Sequence, residues 1–161
     1  VSHYLKHTVV GVDPGETTGV FVLSDEGEVT SYELMFLEAV NVVETIARER
    51  ALERRKVLIA VERFWISDRT LKAGLETYWS IEITGCMRWV AMRYAFPFKR
   101  YSQADTMAFL HNDGLRKLGW WYRGGDGHAN DAARVAGLAL AATDPPRWKH
   151  LVLTSGLLRE E

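Results

Sequence analysis

Two short segments constrain this chain more than any other feature of it: Thr8-Val9-Val10-Gly11-Val12-Asp13 and Val57-Leu58-Ile59-Ala60-Val61-Glu62. Each is a run of β-branched and aliphatic residues, of strand length, that finishes in a carboxylate. The second is apolar without interruption up to Glu62, the pattern of a strand covered on both faces of a sheet. Set side by side as parallel neighbours, the two strands would end about 4.8 Å apart. Carboxylates that close repel, and both stay ionised only with a cation between them. Mg²⁺ takes oxygen ligands, commonly one or two carboxylates completed by waters and phosphate oxygens. Open α/β sheets also place ligands at the carboxyl ends of their strands. Asp13 and Glu62 are therefore the first candidate site residues.

The remaining segments predict what surrounds these strands. Pro14-Gly15 turns the chain after Asp13, and Thr18 to Leu23 and Val29 to Leu37 read as two further strands. A turn at Asp25-Glu26-Gly27 joins them into an antiparallel meander. Val42, Val43, Ile46, Ala47 and Ala51 recur at helical spacing, predicting a helix from Ala39 to Arg54. Residues 63–75 read as a polar, basic loop, Tyr78 to Tyr94 as a long helix and Phe98 to Tyr101 as a short strand. Ser102 suits the cap of a helix from Gln103 to about Leu110, and a second short helix follows to Leu118. Gly119 to Gly127 is a loop rich in tryptophan and glycine. Ala129 to Ala142 is a helix built largely of alanine and closed by Asp144-Pro145-Pro146. The order β-β-β-α-β-α-β-α-α fits a five-stranded mixed sheet, three antiparallel strands then two parallel, flanked by helices. A chain of 161 residues is expected to form one domain with a real core. Residues 1–144 read as that domain and 145–161 as a loosely attached C-terminal tail.

A third acid, Asp131, falls in the first turn of the alanine-rich helix. Val135 and Leu138 share its face, so Asp131 points inward with the core, and His128 lies three residues earlier on that face. The small residues of this helix let it press close enough to the sheet for Asp131 to join Asp13 and Glu62. Each residue also has a plain reading: Asp13 as a turn residue, Asp131 as a carboxylate favouring the helix dipole, His128 as a structural side chain.

Composition excludes several classes. The single Cys86 rules out an internal disulfide and a cysteine-rich zinc site. No apolar run approaches the roughly 18 residues of a membrane span. Val1 to His7 lack the apolar core of a secretory signal, which predicts a cytoplasmic protein. A net charge of −1 neither supports nor excludes nucleic acid, because phosphate contacts are local. Basic residues do recur, at Arg63, Arg69, Lys72, Arg88, Lys99, Arg100, Arg116 and Arg123. Phe64 and Trp65 follow Glu62 among Arg63, Arg69 and Lys72, a combination that stacks on unpaired bases while holding phosphate; core packing is the competing reading for Phe64. Trp121 and Arg123, with Trp120 and Tyr122, either line the same groove or support the core. The helix from Tyr78 is apolar over more than one stripe, which predicts a sheet on one side and a second subunit on the other.

Three motifs, in this order, resemble RuvC-type Holliday junction resolvases: Gly11-Val12-Asp13-Pro14-Gly15 with Thr17-Thr18-Gly19, then Ala60-Val61-Glu62-Arg63-Phe64-Trp65, then His128-Ala129-Asn130-Asp131-Ala132-Ala133. The resemblance spans roughly residues 8–142 and points to a phage-encoded or bacterial member. It implies an RNase H-like fold, a homodimer, and cleavage of four-way junctions, possibly with forks and flaps, by two Mg²⁺ or Mn²⁺ ions per active site. By position it makes Asp13, Glu62 and Asp131 metal ligands, His128 a fourth ligand or proton-handling neighbour, and Trp65 an aromatic wedge. The chain departs from the pattern at Tyr101-Ser102-Gln103, which lacks the family's proline, and at Met107, where a lysine is expected nearby. That departure predicts looser selectivity among branched DNAs. Two other readings compete: a non-catalytic branched-DNA binding module on the same fold, and an actin/Hsp70-type nucleotide-binding domain, whose phosphate loop Asp13 to Gly19 resembles. The second needs two such domains, and the chain has length for one. No P-loop sequence is present.

Overall fold

The computed structural model describes residues 7–65 and 76–157; Arg69 and Lys72 lie outside the described residues. The elements are β1 (Thr8–Asp13), β2 (Thr17–Leu23), β3 (Val29–Met35), α1 (Phe36–Leu52), β4 (Val57–Arg63), α2 (Glu76–Arg93), β5 (Phe98–Ser102), α3 (Gln103–Phe109), α4 (Asn112–Lys117), α5 (His128–Thr143) and α6 (Pro145–Ser155). The strands form one sheet in the order β3-β2-β1-β4-β5. β1 pairs antiparallel with β2, and β2 with β3, through short turns; β1–β4 and β4–β5 are parallel. The parallel pairs follow from crossovers through α1 and α2, since parallel neighbours cannot be joined by a tight hairpin. The expected mixed sheet flanked by helices is the fold observed.

Strand alternation sorts the core into two halves. Val10, Val12, Val20, Val22, Ile59 and Val61 face one way, against Val43 and Ala47 of α1 and Ile83, Met87 and Val90 of α2. Val9, Phe21, Leu23, Leu58 and Ala60 face the other way, against Ala132, Val135, Ala136, Ala139 and Leu140 of α5. Asp13 and Glu62 continue the second series, two residues beyond Gly11 and Ala60, so both carboxylates lie on the α5 side. Val12 is opposite Val61 in the parallel register, which sets Asp13 and Glu62 at neighbouring strand ends.

Glycines bring α5 close. A Cβ on Gly11 would sit 2.1 Å from the Ala132 carbonyl oxygen and 2.9 Å from the Ala136 Cβ, and one on Gly19 would sit 1.9 Å from the His128 carbonyl oxygen. The helix backbone therefore lies directly on β1 and β2.

Element boundaries and the C-terminus differ from expectation. β3 stops at Met35, and Phe36 and Leu37 begin α1 instead of ending the strand, because Glu38 folds back to accept the Met35 N–H (3.3 Å). α1 ends at Leu52, and Arg54 adopts a left-handed φ of 57°. Beyond α5 the chain continues as a further helix, α6. Pro145 and Pro146 do not only follow α5; they open α6, at positions where a missing N–H costs nothing, with the Asp144 carboxylate accepting the Arg147 N–H at 3.1 Å. Trp148 packs on Phe109 and Trp120, with ring centroids 5.1 and 6.2 Å away. Arg147 donates to the main-chain carbonyls of His7 (2.6 Å) and Ser24. The aromatic and the arginine of this segment thus find fixed partners. No helix among the described residues is long and apolar enough to cross a membrane.

Candidate active site

Four predicted site residues meet where β1, β4 and the first turn of α5 converge. Asp13 is buried at the end of β1, and its Oδ2 lies 2.7 Å from Nδ1 of the half-buried His128. That contact holds the imidazole more basic than usual, with burial opposing it and the charges of Asp13, Glu33 and Asp131 reinforcing it. Glu62 is the most perturbed group: burial first, then the charges of Asp13 and Asp131, push its carboxyl up to about 8. Its Oε2 is buried and meets no hydrogen-bond donor among the described residues. Asp131 is likewise raised, by burial and then by Asp13, against the opposing pull of Arg134.

Arg134 is a feature the sequence did not single out. It is buried on α5, donates through Nε to the Leu110 carbonyl (3.0 Å), and its two terminal nitrogens hold Asp131 Oδ1 and Asn112 Oδ1. The available signal was an arginine three residues after Asp131, among alanines, where a cation needs an acid. No group of three or more His, Cys, Asp or Glu side chains among the described residues stands ready-made as a metal site. The donor chemistry nonetheless suits a hard divalent cation: carboxylate oxygens and one imidazole, mutually repelling acids, and a buried Glu62 oxygen with nothing to satisfy it.

Asp13, Pro14, Glu62, Arg63, Phe64, Trp65 and Gln103 line one cleft. Trp65 is 60% exposed, and the Arg63 guanidinium carbon lies 3.8 Å from its ring centroid; Phe64 is half-buried. Gln103, where the sequence departs from the resembled pattern, is one of the residues lining this cleft. Arg63 also lines an adjoining cationic depression with Arg88, Phe98, Lys99 and Arg100. Trp121 and Arg123 belong to a third depression, with Arg116 and Gly119, that shares no lining residue with the acidic cleft among the described residues. Arg116 stacks over Trp121 at 4.4 Å. Trp120 goes into the core instead, 4.9 Å from Phe21.

A five-stranded mixed sheet in the order β3-β2-β1-β4-β5, flanked by helices, is an RNase H-like fold. Within it, the chain is similar to RuvC from T. thermophilus, in the structure of its complex with a Holliday junction substrate: TM-score 0.57, 18% identity, 86% of this chain and 96% of that one covered. A second structure of Thermus thermophilus RuvC aligns over 84% of this chain and 95% of that one, at 20% identity and a TM-score of 0.48. At 18% identity the first of these likenesses is one of fold, and it bears out the fold expected from the three motifs. No protein-family model and no curated protein matches the sequence.

Proposed function

We propose that this chain is a structure-selective endonuclease that hydrolyses the phosphodiester backbone of branched DNA: four-way junctions, and with them forks and flaps. The observation that carries this reading is the convergence of Asp13, Glu62 and Asp131 from three elements, with a buried Glu62 oxygen that lacks any donor. The fold likeness supports the choice of substrate class, since the similar Thermus structure is a complex with a Holliday junction substrate.

Asp13, Glu62 and Asp131 would hold the divalent ions, Mg²⁺ or Mn²⁺, with His128 as a fourth ligand or proton-handling neighbour. Two such ions, when bound, supply activation of water and stabilisation of the leaving oxygen. The chain's own groups do the rest. Asp13 orients His128 through Nδ1, leaving Nε2 to hold or release a proton. Trp65, braced by Arg63, stacks on a base unpaired at the branch. The depression of Arg63, Arg88, Lys99 and Arg100 holds backbone phosphates next to the acidic cleft, and Arg116, Trp121 and Arg123 offer a second grip. Phe64, Arg69 and Lys72 complete the proposed DNA contacts.

The test is a panel of labelled four-way, fork, flap, linear and RNA–DNA substrates, in Mg²⁺, Mn²⁺ and EDTA, beside Asp131→Asn. Branched DNA should be cut only with metal, and Asp131→Asn should bind without cutting. Cleavage that survives EDTA, or that Asp131→Asn leaves intact, would overturn the reading. Incision of four-way junctions alone would remove forks and flaps from it. One observation favours a second reading, a branched-DNA binding module: the Arg134 guanidinium already occupies Asp131. Junction binding with no cleavage in either metal is its signature.

A further inference from the structure

We propose that Glu33, on β3 and outside the acid cluster, is the positioning residue that sets where α5 begins and hence where His128 and Asp131 meet Asp13. The role in catalysis rests on the nuclease reading above; the capping role does not. A helix leaves its first N–H groups without partners, and the residue at its N-cap normally answers one of them with a side-chain oxygen. At α5 that residue is Gly127, left-handed at φ 99°, and it has no side chain to offer. Glu33 supplies the missing acceptor from 93 to 96 residues away. Its Oε2 accepts the Asp126 N–H at 2.8 Å, and its Oε1 accepts those of Gly127 at 3.0 Å and Ala129 at 3.1 Å.

The sheet register explains why Glu33 is the residue within reach. Asp13 pairs with Gly19, and Gly19 pairs with Glu33, so the three stand in one row across β1, β2 and β3. Directly opposite residues share a face of the sheet. Along that row the start of α5 is gripped at both ends: Asp13 holds the His128 ring, and Glu33 holds the backbone beside it. Gly19 between them admits the His128 carbonyl, and Gly125, at φ 65°, would place a Cβ only 1.8 Å from Glu33 Oε2. A carboxylate suits this place, because it faces the positive end of a helix dipole with charge-assisted bonds. Partial burial raises the Glu33 carboxyl, but the amides of Ala129, Asp126 and Gly127 outweigh it and hold the group below its ordinary value. Both Glu33 oxygens are engaged by main-chain N–H groups.

The experiment uses the full chain carrying Glu33→Gln, which keeps the shape but turns an amide nitrogen toward N–H donors. Groups that orient metal ligands typically change affinity or activity about 10–100-fold when altered. Glu33→Gln should therefore weaken Mn²⁺ binding, measured by calorimetry, and lower kcat within that range, with the junction Kd within about twofold of wild type. Amide hydrogen exchange should quicken at Asp126, Gly127 and Ala129. Formate added to Glu33→Ala should restore part of both Mn²⁺ affinity and kcat. Trp148→Ala, a core change remote from the acids, serves as a control: at a matched loss of Tm it should keep Mn²⁺ affinity, which separates positioning from general loosening. Wild-type exchange and wild-type Mn²⁺ affinity in Glu33→Gln would overturn the proposal. Faster exchange with unchanged affinity would reduce Glu33 to a structural cap and overturn it as well. Should wild type cut nothing, the nuclease reading fails while exchange and Mn²⁺ binding still decide the role of Glu33.

Discussion

Glu62 is the residue at which folding and the proposed chemistry conflict most openly. Its carboxyl is raised from 4.5 to about 8, so without metal the folded chain holds a proton there that the unfolded chain has released. Stability from a raised group is fully present below the unfolded value and is lost as pH rises through the folded one. Asp131 and His128 are raised as well and add to the same slope. In EDTA, Tm should therefore fall as pH rises from about 4.5 to about 8. Glu62→Gln should flatten that decline and melt higher than wild type at the alkaline end, while losing cleavage. Thermal melts across this range check it, and a wild-type Tm that climbs with pH would contradict it. Trp65 makes the opposite case, a large ring kept 60% exposed with the Arg63 guanidinium over its face. Surface changes of this kind usually shift stability by no more than about 0.5 kcal/mol, whereas base stacking on an aromatic ring is worth about 1–3 kcal/mol. Trp65→Ala should thus leave the melt almost unchanged and weaken branched-DNA binding by about tenfold or more. Equal affinity for branched DNA in that variant removes the wedge.

The packing of α5 on the sheet turns on the strand glycines more than on the helix alanines. Adding a methyl to a filled core commonly costs about 1–3 kcal/mol. At Gly11 the methyl would meet a backbone oxygen at 2.1 Å, which no rotamer change can relieve. Gly11→Ala should fall at the upper end of that range or beyond, seen as a Tm lower by roughly 10 °C for a chain of this length. Gly137 offers a contrast, because the nearest atoms to its Cβ would be side-chain atoms, Leu110 at 3.1 Å, Trp120 at 3.4 Å and Trp148 at 3.7 Å, with no backbone among them. There the gain in helix propensity, about 1 kcal/mol, opposes a small squeeze, and Gly137→Ala should be near neutral. These glycines also show what was legible in advance. Asp13, Glu62, Asp131 and His128 could be found locally, from strand ends and from one helical face. Gly11 and Gly19 were visible as residues but not as the seats of a helix backbone, which only the cross-strand register reveals. Glu33 was hidden for the same reason. Had the turn at Asp25-Glu26-Gly27 been used to align β2 with β3, residues equidistant from Glu26 would have fallen opposite each other and set Glu33 beside Gly19. Arg134 and α6 were missed because their partners, Leu110, Asn112, Phe109 and Trp120, lie in separate segments of the chain.

The outer face of α2 is the surface feature that folding of a single chain leaves unexplained. Ile83, Met87, Val90 and Ala91 bury one side of this helix against the sheet, as its breadth of apolar residues led one to expect. On the other side Tyr78, Ile81, Trp89 and Met92 remain exposed, Trp89 at 53% and Met92 at 73%. With Gly85 between them they recur every three or four residues, the spacing of a helix-packing seam. A Cβ on Gly85 would meet nothing within 4 Å, so the middle of the seam is a gap into which another helix can settle. We expect that partner to be a second copy of this chain, since a two-fold contact sets one patch against itself and would present two acidic clefts to one junction. Arg88 and Arg93 flank the seam, and Arg93 lies over the Trp89 ring at 5.1 Å, so the rim carries cations whose mutual repulsion salt or DNA would relieve. Sedimentation at micromolar concentration should give twice the chain mass. Trp89→Glu, which adds a charge to an already exposed position, should give a single-chain mass with an unchanged far-ultraviolet dichroism spectrum. Gly85→Leu should do the same by filling the gap. A monomeric wild type under these conditions, with and without junction DNA, would mean that this apolar face has some other occupant and that each chain acts on DNA alone.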